Sequence, residues 1–451
     1  MPTNGVFMTK LRERKLWIIG LLFSFAVIII FMLVFKHGSH DVNLYFSYAE
    51  SMRLGIIPYR DISVEYTPLA LLLFFLPAVV TALFSSGDAV LALNLYSLFF
   101  AIEMTLFAVA GVWLVIEFAK ILKFSPVVAL FCYLVVIIAI GEISVLRFDF
   151  APAIITMTSL LFLCRRKYEV AWIILAIGVM TKIYPIVLVP IFIIFQLEHA
   201  RRAMNRKDME RVALSAAVFM VTILLIAMPA VIVDAKGFLE SFTMQSGREL
   251  HIESIYASVL LLLSSMGIGE IAVEYGEMAV EVFSPAAEFF RTVSFPIMAI
   301  VLGIVYFLFY RHQRIKDSCA LVSPHESCFD VLRYGATVIA VFMITNKVFS
   351  PQFIIWLCPF VPLVFRRWRI AGWTIFVVIA FLTWFVYPKN YSSLVIGNPL
   401  TIGALVMRNV LMIILIVLLL AHSRLGKVIE KKNTEIPQQS CEQAKPELNI
   451  L

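Results

Sequence analysis

The 451 residues are 61% hydrophobic and only 15% charged, against about 25% charged in ordinary globular domains. This excludes a typical soluble enzyme. Apolar runs near the roughly 20 residues that a bilayer-crossing helix needs place the chain among polytopic α-helical membrane proteins. The net charge of +7 is spread as short Lys/Arg clusters between apolar runs, the pattern of cytoplasmic loops rather than of a nucleic-acid-binding face.

The first run, 16–36, follows Lys10, Arg12, Arg14 and Lys15. It is too long for a signal-peptide core and has no small-residue cleavage site, so a retained crossing is expected. Directly after it comes HDVNLYFSYAESMRLGIIPYRDISVEYTP, which gathers Asp41, Glu50, Asp61 and Glu65. The apolar run 69–83 is short and interrupted by Pro77. Placing every basic cluster in the cytoplasm leaves it no room as a full crossing, so it is expected to lie in the outer leaflet or re-enter it. Further crossings are expected at 90–117, 126–141, 150–164, 169–182, 184–197, 212–232, 292–310, 334–346, 351–365, 370–387 and 402–422. With the first, that makes about 12, both termini being cytoplasmic. External loops then cover 37–89 and 233–290, within one transmembrane domain over 1–430. The polar tail 431–451, with Pro437 and Pro446, reads as disordered and cytoplasmic. None of the six cysteines falls in an external loop, so no disulfide framework is expected.

On this topology the remaining polar residues share one face. Arg147 and Asp149 lie in VLRFDFAP, Lys182 and Tyr184 in TKIYPI, Arg248, His251 and Glu253 in SGRELHIESIY, and Asn346, Lys347 and Gln352 in TNKVFSPQFIIW. Each has a plainer reading. Lys182 can snorkel to headgroups, Arg147 and Asp149 can form a local ion pair, and Glu50 is a solvated neighbour of Arg53. Asn346 and Lys347 can end a helix ahead of Pro351. Tyr59, Tyr66 and Tyr184 fit an interfacial aromatic belt. The convergence of five loops favours a site over these. A carboxylate can take a proton from a hydroxyl, and cations can hold a phosphate. That combination suits transfer from a lipid-linked phosphate donor at the membrane edge. No P-loop, GxGxxG, HExxH or CxxC motif occurs, so no nucleotide site, cofactor or metal is expected.

The stretch DVNLYFSYAESMRLGIIPYRDISVEYTP resembles the first loop of GT-C membrane glycosyltransferases, in particular glycosyltransferase family 87 and related polyprenyl-phosphate-mannose-dependent α-mannosyltransferases. TKIYPIVLVPIF is similar to that family's Lys-x-x-Pro span start, RELHIESIYASVL to its large external loop, and NKVFSPQFIIWLCPF to its late motif. The resemblance covers residues 41–360. It implies an all-α GT-C fold whose first external loop carries membrane-lying helices over a lipid-facing cavity. It also implies an inverting, usually metal-free transfer at the external or periplasmic face of the cell's inner or plasma membrane. The family's early acidic base matches Asp41 best, with Asp61 and Glu65 as further catalytic candidates. Substrate contacts fall to Arg147, Asp149, Lys182, Tyr184, Arg248, His251, Glu253, Lys347 and Gln352, the donor phosphate going to Arg248 and Lys182, with Lys347 or His251 as a further candidate. The implied partners are a polyprenyl-phosphate-linked sugar (mannose or another hexose or pentose), a glycolipid, glycan or protein acceptor, and the lipid bilayer, without nucleic acid. The alternatives are a lipid or glycolipid transporter or flippase, a related transferase moving a non-sugar group, and an inactive scaffold.

Overall fold

Many helix starts obey one rule, a Ser, Thr or Asn followed at once by proline. Thr67-Pro68, Ser125-Pro126, Ser284-Pro285, Ser323-Pro324 and Asn398-Pro399 each open a helix. Proline suits the first helical position because its φ is preset and it has no N–H to leave unpaired. Ser284 and Asn398 also accept hydrogen bonds from Ala287 N and Leu400 N, satisfying donors that a helix start leaves open.

The computed structural model describes Ile18, Gly20, Leu22 and residues 40–421, apart from 86, 204–205, 277–278, 318–322 and 366–368. Beyond those first three residues, the expected crossing at 16–36 lies outside the described residues, as does the tail 431–451. The continuous chain opens with α1 (His40–Arg53), α2 (Pro68–Ala82) and α3 (Ala89–Ile121). Next come α4 (Pro126–Ile140), the single turn α5 (Ile143–Leu146), α6 (Phe150–Cys164) and α7 (Tyr168–Thr181). A 3-10 segment, Tyr184–Leu188, runs into α8 (Val189–Ala203), and α9 (Arg206–Ser246) is kinked at Asp234. Then follow β1 (Leu250–His251), α10 (Ile255–Ser265), β2 (Ala272–Tyr275), β3 (Val280–Phe283), α11 (Pro285–Asp317) and α12 (Pro324–Thr345). A 3-10 stretch Pro351–Leu357, α13 (Val361–Val364), α14 (Arg369–Trp384), a π-helical turn Phe385–Lys389, α15 (Tyr391–Val395) and α16 (Pro399–Leu420) complete it.

Among the described residues seven segments are long and apolar enough to cross a bilayer: Ala89–Ile121, Tyr184–Arg202, Arg206–Met244, Pro285–Ile315, Pro324–Thr345, Ile370–Lys389 and Pro399–Leu420. The protein has the build of a helical, polytopic membrane protein. The expected crossings at 126–141, 150–164 and 169–182 appear as apolar helices of 15, 15 and 14 residues, short of the roughly 20 that span a bilayer. The expected crossing at 351–365 differs more. It is a 3-10 stretch and the four-residue α13, broken by Pro351, Pro359 and Pro362. Ile354, Trp356, Leu357 and Phe360 are all buried, and such irregular backbone is tolerated at membrane depth when protein surrounds it. α2 is an apolar helix of 15 residues that buries Ala70, Leu71, Phe74 and Ala78 and exposes Leu72, Leu76, Val79 and Val80. One element was not foreseen. The second loop holds a small antiparallel sheet in the order β1-β3-β2, with Leu250 opposite Val282 and His251 opposite Glu281.

Two contacts set the first loop in place. Tyr45 of α1 stacks on Phe74 of α2 with ring centroids 4.1 Å apart, a pairing worth about 0.5–1.5 kcal/mol beyond its buried area. Past its kink, α9 restarts with Asp234 accepting from Lys236 N and Gly237 N. Gly237 then packs so closely on the Tyr59 carbonyl that a Cβ would lie 1.9 Å from the oxygen. Only glycine permits that approach, which seats the second loop on the first.

Candidate active site

α7 ends at Thr181, because Pro185, four residues on, has no N–H for the Thr181 carbonyl and its ring would clash with it in a continuing helix. Lys182 is already extended, with φ −159° and ψ 133°. Across from it α12 ends at Thr345, and the short strand β1 leads out of α9 beside Arg248. These ends and the first loop enclose a cavity of about 260 Å³ lined by Glu65, Lys182, Tyr184, Arg248, Lys347 and Gln352, among others. All six are residues that the sequence singles out. The volume lies just below the roughly 300–1,000 Å³ of pockets for drug-sized ligands and suits one compact polar group.

The charges inside are paired. Arg248 Nη2 donates to Glu65 Oε2 at 2.5 Å. Lys182 Nζ donates to Asp149 Oδ1 at 2.6 Å, and Trp356 Nε1 donates to the same oxygen at 2.6 Å. Lys347 Nζ donates to the Arg248 carbonyl, and His251 N donates to the Lys347 carbonyl at 3.1 Å. Burial, with Arg291 nearby, pulls the Lys347 ammonium below the usual lysine range. Lys182 does not snorkel to headgroups: its Nζ lies 4.5 Å from the Phe148 ring centroid and 5.4 Å from those of Phe353 and Trp356. Tyr184 is not a belt aromatic either, being 2% exposed and stacked on Trp356 at 3.9 Å. Tyr59 is also buried, its hydroxyl donating to the Tyr66 carbonyl at 2.7 Å.

The other six sequence candidates stand outside the cavity lining. Asp149 is fully buried behind Lys182. Arg147 is not its ion-pair partner: Arg147 forms a salt bridge with Asp41 and donates to Tyr387 Oη at 2.5 Å. Asp61 sits in the turn of the first loop, paired with Arg60 and accepting from Ile57 N at 2.8 Å. These bonds, the Arg60 one foremost, push its carboxyl down to about 2. His251 is buried, and that burial, with Arg248 and Arg408 nearby, pushes its imidazole down to about 3. The ring is therefore neutral near pH 7. Glu253 is buried too and pairs with Arg408 at 2.5 Å. Burial raises its carboxyl, and Arg408 opposes the rise.

Some members escaped the sequence reading. Trp356 and Phe353, stacked at 4.1 Å, wall the cavity, and aromatics in so apolar a chain carry no local mark. Arg408 did carry one, as a lone cation within the apolar run 399–420, where an ionisable residue signals a buried partner or a site. Chemically, the cavity offers one carboxylate to accept a proton and three cations to meet an anion, against an aromatic wall. No family model matches this chain, and a search of curated proteins finds no match.

Proposed function

We infer that the protein is a membrane glycosyltransferase of the GT-C type, resembling family 87, which moves a sugar from a polyprenyl-phosphate donor to an acceptor hydroxyl with inversion. The observation that carries this reading is the meeting of Glu65, Lys182, Arg248 and Lys347 in one cavity from four distant segments. Cations already held by carboxylates and carbonyls are preorganised, so they can stabilise charge that grows on a leaving phosphate with little rearrangement.

Glu65 is the base in this reading, because it lines the cavity while Asp41 and Asp61 do not. Its carboxylate takes the proton of the acceptor hydroxyl as that oxygen attacks the anomeric carbon. The bond from that carbon to the donor phosphate oxygen breaks on the opposite face, and the electron pair leaves with the polyprenyl phosphate. Arg248, Lys182 and Lys347 meet the resulting charge. Asp149 orients Lys182, and Asp41 with Arg147 anchors the first loop. About 12 crossings, cytoplasmic termini and an outward-facing site complete the proposal.

The test is to extract lipid from the purified protein, identify any polyprenyl-phosphate sugar by mass spectrometry, and supply that donor in labelled form in liposomes. Label appearing in a new glycoside supports the reading. Movement of the labelled lipid between leaflets without a new glycosidic bond would favour a flippase instead.

A further inference from the structure

A second cavity, of about 430 Å³, lies between α1, α2 and the start of α3, apart from the site above. Thr67 lines the first cavity and Thr81 the second, so they sit at opposite ends of α2, about 20 Å apart at 1.5 Å per residue. Space exists here because the facing positions are small: Ala78, Ala82, Gly87, Ala89 and Ala92 line it. The polar lining is mixed in sign. Glu50 and Arg53, one turn apart on α1, form a bidentate pair at 2.5 and 2.8 Å. Asp88 caps α3 through one oxygen only, Oδ1 accepting from Val90 N and Leu91 N, which leaves Oδ2 open. Thr81 is 2% exposed and its Oγ1 has no hydrogen-bond partner. Around these groups, Val79, Val80, Leu83, Phe84, Val90 and Leu91 are exposed, an apolar collar of the kind that faces acyl chains.

We propose that this pocket seats the headgroup of a phosphatidylethanolamine-class lipid, its ammonium between Glu50 and Asp88 and its phosphate against Arg53. Two carboxylates and one guanidinium give the lining a net charge of −1, which disfavours an anionic headgroup and favours one that brings its own cation. A primary ammonium supplies three N–H donors for carboxylate oxygens, whereas a choline headgroup supplies none. Arg53 uses Nε and Nη2 on Glu50, leaving Nη1 to meet a phosphate oxygen. Phe46 completes the lining with an aromatic ring beside the ammonium. The site goes beyond the transfer reading and does not depend on it.

The experiment is native mass spectrometry of the detergent-purified full chain titrated with palmitoyl-oleoyl phosphatidylethanolamine, phosphatidylcholine or phosphatidylglycerol. One ethanolamine lipid should be retained about fivefold more tightly than either of the others, as two solvent-exposed charge contacts would give. Glu50→Gln with Asp88→Asn should abolish that preference while leaving the thermal midpoint unchanged, because asparagine still caps α3. If the double variant unfolds, Asp88→Asn alone must still reduce the preference. Equal retention of the three lipids by the unaltered protein, or a variant that keeps the preference, would overturn the proposal. No readout here involves glycosyl transfer.

Discussion

Arg248 and Glu65 stand 183 residues apart in the chain and meet at 2.5 Å, joining the second loop to the first at the wall of the charged cavity. The pair has a structural consequence and a chemical one. It fixes the carboxylate and places a guanidinium within reach of whatever that carboxylate approaches.

Glu65→Gln should therefore lower labelled-sugar transfer by about 10²–10⁴-fold, the usual worth of a general base, with the protein still folded. The exchange Glu65→Arg with Arg248→Glu should restore the tie between the loops and remain inactive. Assays at matched protein levels check both, and an active Glu65→Gln would take the base role from this residue.

Asp41→Asn should act differently. Asp41 and Arg147 have side chains 19% and 7% exposed, so neutralising one leaves a guanidinium short of its counter-charge at a cost of about 1–3 kcal/mol. We expect a lower thermal midpoint and less than a tenfold loss of transfer per folded molecule. A folded Asp41→Asn that loses more than a hundredfold would return the base role to Asp41.

Arg408 and Glu253 are 0% and 1% exposed. Arg408 also donates to the Glu253 carbonyl at 2.6 Å, and its guanidinium lies 4.4 Å from the Phe349 ring centroid. Arg408→Met alone should destabilise the protein by about 3–5 kcal/mol, because it strands a buried carboxylate. Adding Glu253→Leu should recover much of that loss. Denaturation of the two variants in one detergent measures the coupling, and additive effects would count against it.

His251 gives the protein an acid sensitivity of known sign. Its imidazole is pushed down to about 3 in the fold, against about 6.5 when unfolded. The unfolded chain thus takes up a proton first as pH falls. Stability from this group is complete above about pH 6.5 and declines by up to about 1.4 kcal/mol per pH unit toward pH 3. His251→Gln should show a shallower loss of thermal midpoint over that window, and parallel curves would show that His251 contributes nothing.

The proposed sidedness rests on the positive clusters. Tyr275 is 72% exposed in the second loop, and the Arg206 side chain is 93% exposed at the start of α9. In a Cys-free background, Tyr275→Cys should react with an impermeant thiol reagent on intact cells, and Arg206→Cys should react only after lysis. The reverse pattern would invert the proposed orientation.

By itself the sequence determined the membrane class, the helical build and much of the cavity lining. Apolar run length is a local property, and a charge in so apolar a chain is conspicuous wherever it falls. That is why Glu65, Lys182, Arg248 and Lys347 were legible before any of them could be placed together. Tertiary structure alone decided the partners. Arg147 lies two residues from Asp149 yet pairs with Asp41, while Asp149 takes Lys182 from the end of another helix. Proximity along the chain is a poor guide here, because a buried charge goes to whichever opposite charge the packing of helices brings within reach. The same reason explains 351–365. Its apolar residues read as one continuous crossing helix, but three prolines break it into a 3-10 stretch and the short α13, most of it packed in the core. Whether an apolar stretch faces lipid or protein depends on neighbours that composition does not name.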